Sequence, residues 1–179
     1  GMMQWISRKL LQWNGWKLFP WKEDFPKCVI CVAPHTSNWD FVVGKLFYNA
    51  VGKDAKFLIK KEWFVFPMNI IFNMLGGVAV DRSKHRSVTD QMIEQFNMHT
   101  KFQLAITPEG TRKKVDEWKK GFYYIALGAK VPILIAFFDY VKKEVGFKSV
   151  FYPTGDAEAD ILKIRSFYAD VNAHHPEKF

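Results

Sequence analysis

The sequence predicts an α/β fold: a single domain with a mainly parallel central sheet flanked by helices, preceded by an N-terminal amphipathic helix. Three observations carry this expectation. Short apolar runs of strand length, CVICVAP, KFLIK, GVAVD, FQLAI and PILIAFF, alternate with segments of helical periodicity. The 179 residues suffice for one domain with a sizeable core, and no repeat, low-complexity segment or linker divides them. Hydrophobic residues make up 49% and aromatic residues 17%, which argues against disorder and predicts some exposed aromatic surface.

Each element follows from its pattern. In MMQWISRKLLQWNGWKL, residues 2–18, Met3, Ile6, Leu10 and Trp13 recur at helical spacing with Arg8, Lys9 and Lys17 as the charged complement. With Trp5, Trp13, Trp16 and Trp21 among the cations, residues 1–27 read either as a segment lying in a headgroup layer or as a helix packed on the domain's own core. Residues 28–179 then form the main domain. CVICVAP reads as a buried strand, WDFVVGKLFYNAV as a helix and KFLIK as a strand. From Trp63 to Val80 no charged residue occurs. Pro67, Gly76, Gly77, Asn69 and Asn73 argue against a membrane span there, so PMNIIFNML is expected to be a buried helix and GVAVD a buried strand. A helix dipping into the membrane or lining an acyl-chain groove is the alternative. SVTDQMIEQFNMH aligns Val88, Met92 and Phe96 on one helical face. FQLAI, the helix DEWKKGFYYIALG, PILIAFF, the strand EVGFKSVFYP and the closing helix DAEADILKIRSFYAD complete the chain.

The formal charge of +8 predicts attraction to something anionic. The basic residues are dispersed and form no nucleic-acid-binding motif, so nucleic acid is not expected as a partner. Gly1 ahead of Met2 resembles a tag-cleavage scar, and no signal sequence follows, so a cytoplasmic location is expected. Cys28 and Cys31 are three apart in a strand, which puts them on opposite faces, and no second pair completes a zinc site. They read as buried small hydrophobes, and no metal site is expected.

Four stretches could carry chemistry. In HTSNWD, Ser37 and Asp40 fit a capping box. On a regular helix His35 and Asp40 would lie about 140° apart, so they meet only if His35 occupies the turn before the helix. An imidazole held there by a carboxylate would have its other nitrogen available to accept a proton from a hydroxyl. The spacing permits both roles for Asp40. In GGVAVDRS, Arg82 falls at a strand end where its planar fork could grip phosphate, or it is a surface arginine beside the N-cap Ser83. TPEGTRKK follows the strand FQLAI and is at least a tight turn; it also presents a carboxylate, a hydroxyl and an arginine together. VPI puts Pro132 naturally at a strand's start. No glycine-x-serine-x-glycine elbow occurs, which disfavours a serine hydrolase.

In this order, HTSNWD, GVAVDR, EGTR and VPI resemble the four blocks of the glycerolipid acyltransferase family that makes phosphatidic acid from lysophosphatidic acid. The match covers roughly His35 to Ile133. The resemblance implies that His35 is a general base oriented by Asp40, and that Gly77, Arg82, Glu109, Gly110, Thr111 and Arg112 belong to the site for a glycerol phosphate acceptor. Pro132 would support the acyl-donor region. It further implies O-acyl transfer from an acyl-CoA or acyl-ACP thioester to a lysophospholipid with no cofactor beyond that co-substrate. The chain departs from the family in being short for a membrane-bound member with no clear spanning helix, so peripheral attachment to the inner face of the cell membrane is expected, through the N-terminal helix and a basic surface. The motifs do not separate this acceptor from other lysolipids or hydroxylated lipids. A lipid-binding domain without catalysis keeps the same fold.

Overall fold

The first helix, α1 (Met2–Trp13), stops earlier than its periodicity predicts. Asn14 and Gly15 interrupt it: Gly15 takes a φ of +82°, its amide donates to the Gln12 carbonyl, and the Trp16 amide donates to the Leu11 carbonyl. This paired closure is the one a glycine in the left-handed region permits. The chain then turns into β1 (Lys17–Phe19), so part of the N-terminal segment belongs to the sheet.

The computed structural model describes residues 2–21, 23–33, 44, 46–48, 50, 55–60, 65–80, 87–107, 118 and 120–171. After β1 come β2 (Lys27–Ala33), β3 (Phe57–Lys60), α2 (Met68–Leu75), β4 (Gly77–Val80), α3 (Val88–Met98), β5 (Phe102–Ile106), α4 (Gly121–Ala129), β6 (Ile133–Asp139), β7 (Glu144–Phe151) and α5 (Ala157–Ser166). The main sheet runs β1-β7-β6-β2-β5, parallel throughout except for the antiparallel pair β6 and β7. β3 and β4 form a second parallel pair, joined to β5 by a parallel bridge between Lys56 and Leu104. This is the mixed α/β domain, with helices on both faces of a mainly parallel sheet, that the alternating pattern predicts.

β2 lies between β5 and β6 and is buried from Cys28 to Ala33, as expected of a central parallel strand covered on both faces. Its alternation feeds two cores. Val29, Cys31 and Ala33 pack with Met92 and Phe96 of α3 and with Phe122 and Ile125 of α4; Cys28, Ile30 and Val32 pack with Leu11 of α1 and with the helical residues Phe47, Tyr48 and Ala50. The two cysteines are therefore on opposite faces, 0% exposed and not disulfide-bonded.

Two expectations need correction. The helix within the charge-free stretch exists, but it is not buried: Met68, Ile70, Ile71 and Met74 of α2 are exposed, as are Val65 and Phe66 ahead of it, and β4, expected as a buried strand, is buried only at Val80. Apolar content predicts burial only if another element supplies cover. The helix expected to begin at Asp116 begins at Gly121, with Lys120 at its N-cap. Its other end is closed by Lys130 in the left-handed region at φ 58°, just ahead of Val131 and Pro132.

Candidate active site

Three of the four sequence blocks reach or follow the carboxyl end of a parallel strand. β2 ends at Ala33, two residues before His35 in the chain; β5 ends at Ile106, three residues before Glu109; β4 ends at Val80, two residues before Arg82. β2 and β5 are neighbours in parallel register, Cys31 opposite Ile106, so their carboxyl ends lie side by side at roughly the 4.8 Å spacing of paired strands. Lys56, just ahead of β3, bridges in parallel to Leu104 of β5, and β4 pairs with β3 in the same direction. Loops after the carboxyl ends of parallel strands are where α/β folds bind ligands, because helix starts and loop side chains converge there. His35, Ser37, Asp40, Arg82, Ser83, Glu109, Gly110, Thr111 and Arg112 lie outside the described residues.

Gly77 and Pro132 are described, and both lie at the opposite end. Gly77 opens β4, directly after Gly76, whose φ of +88° ends α2. Pro132 precedes β6, and its carbonyl accepts from the Val29 amide at 3.0 Å. Val29 stands four residues before the end of β2 at Ala33, about 13 Å of strand. Any influence of Pro132 on the carboxyl ends therefore runs through the placement of β6, which it directly precedes and where a residue with no amide proton costs the sheet no hydrogen bond.

Two supports beneath the carboxyl ends are not signalled by any motif. Tyr168 is buried, and its hydroxyl donates to the carbonyls of Cys31 at 3.0 Å and Ala136 at 2.7 Å, on the neighbouring strands β2 and β6. Trp118, six residues beyond Arg112, packs edge-on against both Tyr168 and Phe122, with the Arg165 guanidinium 5.1 Å above its ring. The C-terminal segment thus braces β2 near its end and holds Trp118, beyond TPEGTRKK in the sequence. A second buried network holds α5: the Asp160 carboxylate accepts from the Tyr123 hydroxyl at 2.5 Å, the Thr154 amide at 2.8 Å and the Thr154 hydroxyl at 2.9 Å. Burial works to raise the Asp160 pKa, but these bonds, donated to the charged form, prevail and hold it below the usual carboxylate range. The Tyr123 pKa is raised by burial and by its bond to Asp160.

Tyr48 is kept from acid–base work. Burial, and then the proximity of Cys28 and Cys31, push its pKa far up, so the phenol stays neutral at any working pH. Among the described residues no group of three or more His, Cys, Asp or Glu side chains could hold a metal ion.

Comparison with known proteins points to one family and one fold. Residues 21–136, well over half of the chain, match the model of a family described as Acyltransferase. Among solved structures, the chain resembles the crystal structure of the 1-acyl-sn-glycerophosphate (LPA) acyltransferase PlsC from Thermotoga maritima. The TM-score is 0.63 at 18% identity, covering 92% of this chain and 74% of that one. At that identity the likeness is one of fold.

Proposed function

The chain belongs to the acyltransferase family, and from that premise we propose that it moves a fatty acyl group from an acyl-CoA or acyl-ACP thioester to the hydroxyl of a lysophospholipid, giving phosphatidic acid from 1-acylglycerol-3-phosphate. The observation that carries this reading is the ordered set HTSNWD, GVAVDR, EGTR and VPI inside the matched residues, with the first and third blocks following adjacent parallel strands. The named substrate of the Thermotoga protein, LPA, agrees with it.

In the proposed reaction His35 accepts the proton of the acceptor hydroxyl as that oxygen attacks the thioester carbonyl. The C–O bond forms, the C–S bond of the tetrahedral intermediate breaks, and the proton passes from the imidazolium to the departing thiolate. Asp40 fixes the imidazole tautomer and stabilises the imidazolium. Arg82, Glu109 and Arg112 orient the glycerol phosphate, with Gly110 and Thr111 shaping their loop and Gly77 setting the strand that leads to Arg82. Pro132 acts through β6. No acyl-enzyme is required, in keeping with two cysteines that are fully buried.

A peripheral seat on the inner face of the cell membrane fits α1. Its outward side carries Trp5 and Trp13, 60% and 78% exposed, with Ile6 and Leu10 between them, while Ser7 and Leu11 face the core. The Lys9 ammonium lies 5.9 Å from the Trp5 ring, and no acidic residue occurs before Glu23. Tryptophan and cations on one side of a helix suit an anionic headgroup layer.

The test offers defined acyl-CoA and acyl-ACP thioesters with a panel of lysolipids and identifies the product by mass. Esterification of 1-acylglycerol-3-phosphate is expected to lead the panel. Preference for another lysolipid would change the acceptor, and binding without turnover would leave a lipid-binding domain.

A further inference from the structure

Within the charge-free stretch, Val65 to Met74 have no part in the proposed reaction and present an apolar surface. Phe66 is 80% and Met74 81% exposed, and Val65, Ile70 and Ile71 complete an apolar face uncovered by any described element. A soluble domain seldom leaves so continuous a group of large apolar side chains in water. The helix is not a span: its eight residues reach only about 12 Å, against a hydrocarbon core of about 30 Å.

Its place in the fold indicates what covers it. The connection from β2 to β3 carries the helical residues Phe47, Tyr48 and Ala50 on the face occupied by α1, whose Arg8 donates to the Ala50 carbonyl at 3.3 Å. The next connection, β3 through α2 to β4, steps across the strands in the same direction. Right-handed crossovers therefore put α2 on that same face. The step back from β4 to β5 carries α3 on the opposite face, where Met92 and Phe96 are buried in the other core. Both exposed apolar helices thus share one layer. In the sequence the stretch is flanked directly by Glu62 and Asp81 and then by Lys60 and Lys61 on one side and Arg82, Lys84 and Arg86 on the other, an excess of cations around an apolar insert that complements anionic headgroups.

We propose that α2, with the turn Val65 to Pro67 ahead of it, is a second lipid-inserting element, which together with α1 seats this face of the domain on an anionic bilayer. The proposal extends the peripheral attachment proposed above from one contact to two, and a helix anchored at both supports has its orientation fixed as well as its affinity raised. Because α2 carries no charge, its share of binding should survive salt that screens the share of α1.

The experiment uses Met74→Cys labelled with an environment-sensitive fluorophore, since the two native cysteines are fully buried. Vesicles of phosphatidylcholine and phosphatidylglycerol should shift its emission to the blue, and nitroxide groups near the top of the acyl chains should quench it more than groups at their ends. Ile70→Ser with Ile71→Ser should weaken partition at high salt by about tenfold or more. Unchanged emission while the protein sediments with vesicles would overturn the proposal, as would absence of sedimentation. A blue shift appearing without vesicles as protein concentration rises would also overturn it, assigning the face to a second copy of the chain. Acyl transfer measured on the same samples keeps the two readings apart: an inserted probe with no transfer to any lysolipid would contradict the proposed reaction and uphold the docking.

Discussion

Asp160 shows how one side chain fixes the end of the chain that braces β2. Its carboxylate is buried and satisfied by donors from Tyr123 and Thr154, so removing the charge leaves those donors poorly matched. Asp160→Asn is expected to cost about 2–3 kcal/mol at neutral pH by urea unfolding. The folded pKa is lowered, so the stabilisation is complete above the unfolded value of about 3.9 and is lost as pH falls through the folded value. Wild-type stability should therefore fall more steeply below about pH 4 than that of Asp160→Asn. Tyr168→Phe removes one buried hydroxyl shared between two strand carbonyls, and should lower stability by about 1 kcal/mol.

At the scale of elements, two glycines with close neighbours should behave differently. A methyl group at Gly146 in β7 meets the backbone carbonyl of Phe19 in the paired strand β1, which can yield only by separating the strands. At Gly128 in α4 it meets the tip of the Ile93 side chain, which can rotate away. Gly146→Ala should cost about 1–3 kcal/mol, whereas Gly128→Ala should be close to neutral, helix propensity offsetting the crowding. Denaturant midpoints of the pair would check this, and equal losses would contradict it. The alternation of strands and helices was legible because periodicity is local: β2, β5 and β6 stand where CVICVAP, FQLAI and PILIAFF indicate. β1 was hidden because three residues carry no period, and it exists only through pairing with β7. The exposure of α2 was hidden for a related reason, since composition says which side chains avoid water and not whether an element is there to cover them. Of the candidate site, the blocks and the strands they follow were legible. The brace from Tyr168 joins residues more than a hundred positions apart and follows no local pattern.

Across the whole molecule, the proposed membrane attachment divides between charge and apolar surface. In that proposal the net charge of +8 would draw the protein towards anionic lipid and the outward tryptophans of α1 would hold it there. Trp5→Ser with Trp13→Ser should reduce sedimentation with anionic vesicles by about tenfold or more while leaving the unfolding midpoint almost unchanged, because both side chains are largely outside the core. The same orientation would bring the carboxyl ends of β2 and β5 to an acceptor that lives in the bilayer and a donor that arrives from the water. Thioester turnover by His35→Ala, compared with wild type at saturating 1-acylglycerol-3-phosphate and matched folding by circular dichroism, tests the central claim most directly. The account predicts a fall on the order of 100- to 10,000-fold in rate. Turnover within about twofold of wild type would contradict His35 as the general base.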